Sequence, residues 1–294
     1  MMAAPAAPRP RRSCLYMPGA NPKALEKAKS LPADALIFDL EDSVAPEAKP
    51  EARDVVARVL AEGGYGPREI IVRVNALTTP WGFDDIQMAA RARPAGVLVP
   101  KIDTAEDVRK ADDVLSQAPA DVALWIMIET PLAILNIKEI AAAARQTRLA
   151  AFVMGTNDLA KEMRLVQTPD RLPFLAALSL SVAAARAYGL TVIDGVYNDI
   201  QNEDGFANIC RQGLALGFDG KTLIHPSQIA PCNAIFSPSA EDVAQARDVI
   251  AAFAAPENAG KGVLKVNGKM TELLHLEQAQ RTVAIAEAIA ATAA

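Results

Sequence analysis

Residues 96–129 read GVLVPKIDTAEDVRKADDVLSQAPADVALWIMIE. An aliphatic run at 96–99 (GVLV) leads into a polar, Ala- and Val-containing segment at 104–117, and a second apolar run follows at 124–129 (LWIMIE). Thr104 is a helix-capping residue type, and the composition of 105–117 favours a helix. Two strands separated by a helix must lie parallel, because a hairpin needs only a few residues while a parallel crossover needs a dozen or more. This stretch therefore predicts one βαβ unit.

The same unit recurs outward in both directions. Short aliphatic or β-branched runs stand at 14–17 (CLYM), 35–39 (ALIFD), 70–74 (IIVRV), 150–154 (AAFVM), 191–194 (TVID) and 218–223 (FDGKTL). With the two above they make eight, starting on average about 29 residues apart, the length of a strand, a helix and two loops. The runs are nearly continuous in apolar residues rather than alternating, as strands covered on both faces require. Strands alternating with helices give a parallel sheet, and eight such units close into an α/β (β/α)8 barrel, the TIM barrel. An open doubly wound sheet is the other arrangement of such units, but its Gly-rich phosphate turn after the first strand is absent.

The pattern sets the boundaries. Residues 1–10, rich in Ala, Pro and Arg, are expected to be disordered, 11–236 to form the barrel, and 237–294 a helical extension. The extension reads as a helix (AEDVAQARDVIAAFAA), a Gly-rich link at 258–269 (NAGKGVLKVNGK) and a last helix from about 275 to 292. Leu276, Val283, Ile285 and Ile289 give that helix an apolar stripe to bury on its own barrel or on a neighbouring subunit.

Composition excludes several classes. With 51% hydrophobic and 22% charged residues the chain is an ordinary globular protein, not a disordered one. A formal charge of −5 supplies no basic field for nucleic acid, although local Lys and Arg can still hold small anions. The three cysteines, Cys14, Cys210 and Cys232, form no CxxC pair and no disulfide framework, which suits a reducing cytoplasm. No stretch approaches the ~18 apolar residues of a membrane span.

In such barrels chemistry sits at the carboxyl ends of the strands. The charged residues there are Asp39, Glu41 and Asp42 after the second run, Arg73, Lys101, Glu129, Asp158, Asp194 and His225. Each alone has a plainer role as a cap or a surface ion pair. Gathered at one mouth, the carboxylates would repel unless a cation joined them. Oxygen ligands without paired His or Cys point to Mg2+, which takes one or two carboxylates and completes its shell with water and substrate. Arg73 offers a permanently charged fork for a carboxylate or a developing oxyanion, so metal and arginine together read as an enolate site. Asn21 and Pro22 cap a first helix that places Lys23 and Lys27 four residues apart on one face, just after Tyr16, where two ammonium groups and a ring could hold phosphates.

These residues lie in ordered motifs. RSCLYMPG (12–19), IFDLEDSVAPEAKPEAR (37–53), VRVN (72–75), IET (128–130), GTNDLA (155–160) and GFDGKTLIHPSQI (217–229) resemble the citrate lyase β-subunit-like branch of the 2-keto-acid aldolase/citrate lyase superfamily. The resemblance covers about residues 11–236 and, more weakly, the tail. It implies a Mg2+-dependent barrel lyase acting on 3-hydroxyacyl-CoA esters such as malyl-, methylmalyl-, citramalyl- or citryl-CoA, assembled as a homotrimer or a dimer of trimers. It makes Glu129 and Asp158 metal ligands and Arg73 the substrate-binding, enolate-stabilising residue. Tyr16, Lys23, Lys27, Ile224 and His225 become coenzyme A contacts. In lyases of this family the tail carries a GKMID-like motif whose aspartate enters a neighbour's site. Here the tail reads GKMTELLH (268–275), with Glu272 in the aspartate's place.

The mechanism implied is a reversible retro-Claisen cleavage to a 2-keto acid and an acyl-CoA. Glu272 from a neighbour, Asp42 or another acid of the 39–42 cluster, or a metal-bound water would each serve as base. A CoA-independent pyruvate aldolase is the alternative in the same class, but its relatives use an early histidine as base, and no histidine precedes His225. A degenerate barrel that binds acyl-CoA without turnover is the alternative outside it, and Glu272 is the residue that keeps it open.

Overall fold

The computed structural model describes residues 9–293. The strands are β1 (Ser13–Pro18), β2 (Ala35–Asp39), β3 (Glu69–Arg73), β4 (Gly96–Val99), β5 (Ala123–Ile128), β6 (Leu149–Met154), β7 (Thr191–Asp194) and β8 (Gly220–Leu223). They follow one another in order round a closed, all-parallel barrel, which β1 closes by pairing with β8. Helices α1 (Pro22–Ala28), α2 (Lys49–Glu62), α3 (Gly82–Ala92) and α4 (Ala105–Val114) cross between the first five strands. The other crossovers hold α5 (Pro131–Leu135), α6 (Ile137–Ala142), α7 (Thr156–Met163), α8 (Leu175–Ala187) and α9 (Glu203–Leu216), and α10 (Ile229–Phe236) follows β8. The expected TIM barrel is what the chain forms.

Period-2 alternation sorts each strand into two cores. Ile37, Ile71, Leu98, Trp125, Val153 and Ile193 point into the barrel, while Leu36, Phe38, Val72, Val97, Phe152 and Val192 face the helices. Both sets are fully buried, which is why the runs read as continuous rather than alternating. Each such side chain contributes about 1.5–3 kcal/mol through its burial. The helix starts behave as their sequence suggests: Asn21 accepts from the Ala24 N–H with Pro22 inside the first turn, and Thr104 forms a reciprocal capping box with Asp107.

The described residues divide into two compact units, Arg11–Phe236 and the segment from Ser237 onward together with residues 9–10. The second unit pairs helix α11 (Ala240–Ala254) with α12 (Leu273–Ala293) and carries a feature that its sequence reading missed. The stretch read as a Gly-rich link is an antiparallel hairpin of β9 (Val263–Val266) and β10 (Lys269–Glu272). Asn267 and Gly268, at φ 49° and 80°, form the left-handed two-residue turn that an Asn-Gly pair favours. On α12, Leu276, Val283, Ile285 and Ile289 are half-buried. Of the segment expected to be disordered, residues 1–8 lie outside the described residues.

Candidate active site

A cavity of about 420 Å³ opens at the carboxyl ends of the strands. Its lining includes Tyr16, Asp39, Asp42, Arg73, Met127, Glu129, Asp158, Asn198, Thr222 and Ile224.

One part of the wall is built on β2 and β3. Their register sets Asp39 beside Arg73, the last residue of each strand. Arg73 Nε and Nη2 donate to Asp39 Oδ1 (2.6 Å) and Oδ2 (2.8 Å) in a two-pronged pair. The backbone N–H groups of Glu41 and Ser43 donate to the same carboxylate at 2.9 and 3.0 Å, so Asp39 acts as the socket that orients the guanidinium. Arg73 also lies 4.7 Å from the Tyr16 ring centre, and its Nη1 donates to Asp42 Oδ2 at 3.2 Å. The Asp42 side chain is 71% exposed, which leaves it free to swing away from Arg73.

Glu41 has a different environment. Its Oε2 is 2.8 Å from Arg73 Nη1, yet no N–H is aimed at it, so a buried carboxylate oxygen has an ion-pair neighbour but no hydrogen bond. Burial, and then the charges of Asp42, Glu129 and Asp39, outweigh the pull of Arg73 and push the Glu41 carboxyl up to about 8. Glu41 therefore holds a proton near neutral pH. Asp39 stays below the ordinary carboxylate range because the charge and hydrogen bonds of Arg73, with hydrogen bonds from Ser43 and Glu41, outweigh its burial.

Another part of the wall comes from the ends of β5 and β6. Glu129 follows β5 and is 1% exposed in its side chain. Asp158 lies in the first turn of α7, where an acidic side chain meets the positive end of the helix. Gly155 between them has a steric reason: a Cβ there would stand 2.4 Å from Glu129 Cβ and 2.6 Å from its Oε2. Lys101, just past β4, joins the pair. Its N–H donates to Glu129 Oε1 (2.7 Å), and its Nζ lies 2.5 Å from Asp158 Oδ2 and 3.3 Å from Glu129 Oε1. Burial pushes the Glu129 carboxyl up, whereas hydrogen bonding and charge from Lys101 hold Asp158 down against its own burial. The two carboxylates raise the Lys101 ammonium above its usual value despite partial burial.

This donor set fits a hard cation. Two carboxylates, one at the end of β5 and one in the first turn of α7, the former almost wholly buried, match the oxygen ligands and small protein share of a Mg2+ shell. Among the described residues no three His, Cys, Asp or Glu side chains cluster into a metal site, so a cage with only protein ligands is not formed.

Tyr16, Asp42, Arg73, Glu129, Asp158 and Ile224 come together on one cavity. Lys23, Lys27 and His225 are exposed and are not in its lining. His225 caps the short turn at 226–228, its Nδ1 accepting from the Ser227 N–H. Asp194 departs from the expected mouth. It follows Ile193 on β7 and so faces the opposite way, fully buried against Arg171 (2.7 Å) and Lys221 (2.9 Å) outside the barrel. Sequence reading also missed Thr222, whose inward position on β8 follows from its outward neighbours, and Asn198, which no motif marks. Glu272 ends β10, exposed, its N–H bonded to His275 Nδ1.

Three comparisons fit this architecture. The chain is 49% identical over 282 residues, 96% of either sequence, to a protein of Cereibacter sphaeroides named (3S)-malyl-CoA thioesterase. It is 37% identical over 286 residues, 95% of this chain and 94% of the other, to the citrate lyase subunit beta of Escherichia coli. CitE of Mycobacterium tuberculosis, solved in complex with magnesium, acetoacetate and coenzyme A, superposes with a TM-score of 0.74 at 28% identity, covering 94% of this chain and 97% of that one. Among the described residues no helix is long and apolar enough to cross a membrane. Residues 12–226, the barrel with its cavity, match the HpcH/HpaI aldolase/citrate lyase family, and the chain belongs to it.

Proposed function

We propose that the protein is a Mg2+-dependent lyase that cleaves, or forms, the carbon–carbon bond of a short 3-hydroxyacyl-CoA ester of the malyl-CoA type. The observation that carries this reading is one cavity lined both by a fixed guanidinium, Arg73, and by the carboxylate pair Glu129 and Asp158. The kinship with proteins named for malyl-CoA, citrate, magnesium and coenzyme A supports the choice of substrate.

Mg2+ held by Glu129 and Asp158 would polarise the hydroxyl and carboxylate oxygens of the acyl group. The chain's own groups account for the rest. A carboxylate, Asp42 or Glu272 of a neighbouring copy, takes the hydroxyl proton. The hydroxyl-bearing carbon becomes the keto carbon as the C–C bond breaks, and its electron pair moves onto the thioester as an enolate. Arg73 commits two of its five N–H groups to Asp39 and a third to the exposed Asp42, which leaves donors to stabilise the enolate oxygen. Returning the proton to carbon completes acetyl-CoA, and glyoxylate is the partner product from malyl-CoA. Tyr16 and Ile224 line the wall for the acyl-CoA.

Thioester hydrolysis is a second reading, favoured by the 49% identical relative named as a thioesterase. Incubating the protein with malyl-CoA and Mg2+ separates the two. Equal amounts of glyoxylate and acetyl-CoA are expected. Malate and free CoA without glyoxylate would install hydrolysis instead, and no product of either kind would leave an acyl-CoA-binding barrel without turnover.

Two further expectations concern residues outside the cavity lining. Replacing both Lys23 and Lys27 with Ala should raise KM for the CoA ester several-fold with kcat unchanged and flatten its salt dependence, since their proposed role is uniform attraction of phosphate charge. An unchanged KM in steady-state kinetics would return both to a solvated helix face. For Glu272, the side chain is one methylene longer than the family's aspartate, and a positioned proton-transfer group contributes ~10²–10⁴-fold. Glu272→Asp should therefore raise kcat, and Glu272→Ala should lower it. Wild-type kcat in both would take Glu272 out of the chemistry. The proposed assembly, a homotrimer or dimer of trimers, is read from light scattering of the purified chain.

A further inference from the structure

Lys101 is used by none of the steps above, yet it makes three contacts with the two proposed metal ligands. Its backbone is at φ 55°, a left-handed conformation that residues with a Cβ rarely adopt and that surrounding contacts must enforce. That conformation aims the N–H at Glu129 Oε1 (2.7 Å) while the side chain brings Nζ to 2.5 Å from Asp158 Oδ2 and 3.3 Å from the same Glu129 Oε1. One compact positive charge thus stands between a carboxylate that follows β5 and one in the first turn of α7. The lysine side chain is 34% exposed and the Asp158 side chain 32%, so the ammonium has an open route to solvent on its four-carbon stem.

We propose that Lys101 is a built-in counter-ion that competes with a divalent cation for Glu129 and Asp158. It holds the pair together in the metal-free protein and swings out when the cation binds. The argument is electrostatic. Without a cation, the buried Glu129 and the nearby Asp158 repel, and the lysine relieves that repulsion. A divalent ion bound to both would stand within a few ångströms of the ammonium, and two like charges that close in a half-buried site exclude one another. Metal affinity is then set by the difference between the ligands' attraction for the cation and the contacts that Lys101 gives up. The inference rests on the reading of Glu129 and Asp158 as ligands.

The test is calorimetric titration of Mg2+ into the metal-stripped full-length protein without substrate, repeated with Mn2+ followed by electron paramagnetic resonance. Lys101→Met should bind the cation about fivefold tighter or more, the lower end of a measurable coupling between two sites. Lys101→Gly, which removes the ammonium and also suits the left-handed backbone, should show the same gain, so a folding defect in one variant leaves the other decisive. Lys101→Arg, which keeps the charge, should stay near wild type. Saturating Mg2+ should also raise Tm more in Lys101→Met than in wild type, because the variant starts with an unrelieved carboxylate pair. Lys161→Met is the control for charge acting at a distance. Lys161 lowers the Asp158 carboxyl through space but has no ion pair with it among the described residues.

Affinity unchanged or weakened in Lys101→Met and Lys101→Gly overturns the proposal, as does an equal gain in Lys161→Met. The ligand reading is tested separately by adding Glu129→Gln to Lys101→Met. Loss of the gain supports both ideas, whereas a gain that persists, or absence of binding in every variant, removes Glu129 as a ligand and the competition with it.

Discussion

Arg73→Met is expected to lower kcat by about 10²–10³-fold and to cost about 3–5 kcal/mol of stability, the penalty typical of removing one partner from a buried ion pair. The loss has two separable parts. Asp39 is 2% exposed and would keep only the backbone N–H donors of Glu41 and Ser43, so its charge would be buried without a cation. The enolate would lose its positively charged partner, a change that oxyanion-type donors show to cost about 10²–10³ in kcat. Arg73→Lys keeps a charge but not the fork that meets both oxygens of Asp39, so it should recover stability better than rate. Asp39→Asn combined with Arg73→Met removes the orphaned charge and should restore much of the urea midpoint while leaving kcat/KM at the floor. Recovery of both together would mean that Arg73 is only a structural prop.

The pH dependence follows from the same pair. In the wild type the Asp39 carboxyl is held below its ordinary value, because Arg73 and hydrogen bonds outweigh burial. A depressed carboxylate stabilises the fold above its unfolded-state pKa, about 4, and loses that contribution as pH falls through the native value. In Arg73→Met burial dominates and the native pKa rises. Stability measured by urea titration should then decline as pH rises through the new value, the reverse of the slope expected for the wild type.

The barrel was legible because its strands are buried on both faces. Continuous runs such as ALIFD at 35–39 and LWIMIE at 124–129 cannot be surface hairpins, and their spacing leaves room for helices. The hairpin at 263–272 was not, although Asn267-Gly268 marks its turn. Its strands, VLKV and KMTE, are short and carry lysines, so no apolar run announces them. Within the site, strand-end position found Arg73, Glu129 and Asp158, since chain order alone puts those residues at the mouth. It could not tell which face the last residue takes. Asp194 ends β7 as Arg73 ends β3, yet it turns away from the cavity to meet Lys221 and Arg171. Nor does a helix-face pattern say how near the mouth a helix lies, and Lys23 and Lys27 share a face of α1 without lining the cavity.

Glu129→Gln carries the other large effect. The amide keeps the shape of the carboxylate and an oxygen to accept the Lys101 N–H, so the fold should hold and Tm should move by only a few degrees. What it loses is negative charge at a side chain that is 1% exposed, where little solvent is present to substitute for it. A cation with one or two protein carboxylates in its shell cannot spare one of them, so Mg2+ affinity should fall at least tenfold. Turnover should fall by about 10³-fold, since each tenfold corresponds to ~1.4 kcal/mol and Lewis-acid stabilisation supplies several. Asp158→Asn should act in the same direction but less severely, because its side chain is 32% exposed and water can replace part of what it supplies. Titration calorimetry with Mg2+ and initial rates with malyl-CoA measure both quantities on the same preparations. If both variants retained wild-type Mg2+ affinity, the cation would have to be held elsewhere, and the pair around Lys101 would be an ion cluster that shapes the cavity without entering the chemistry.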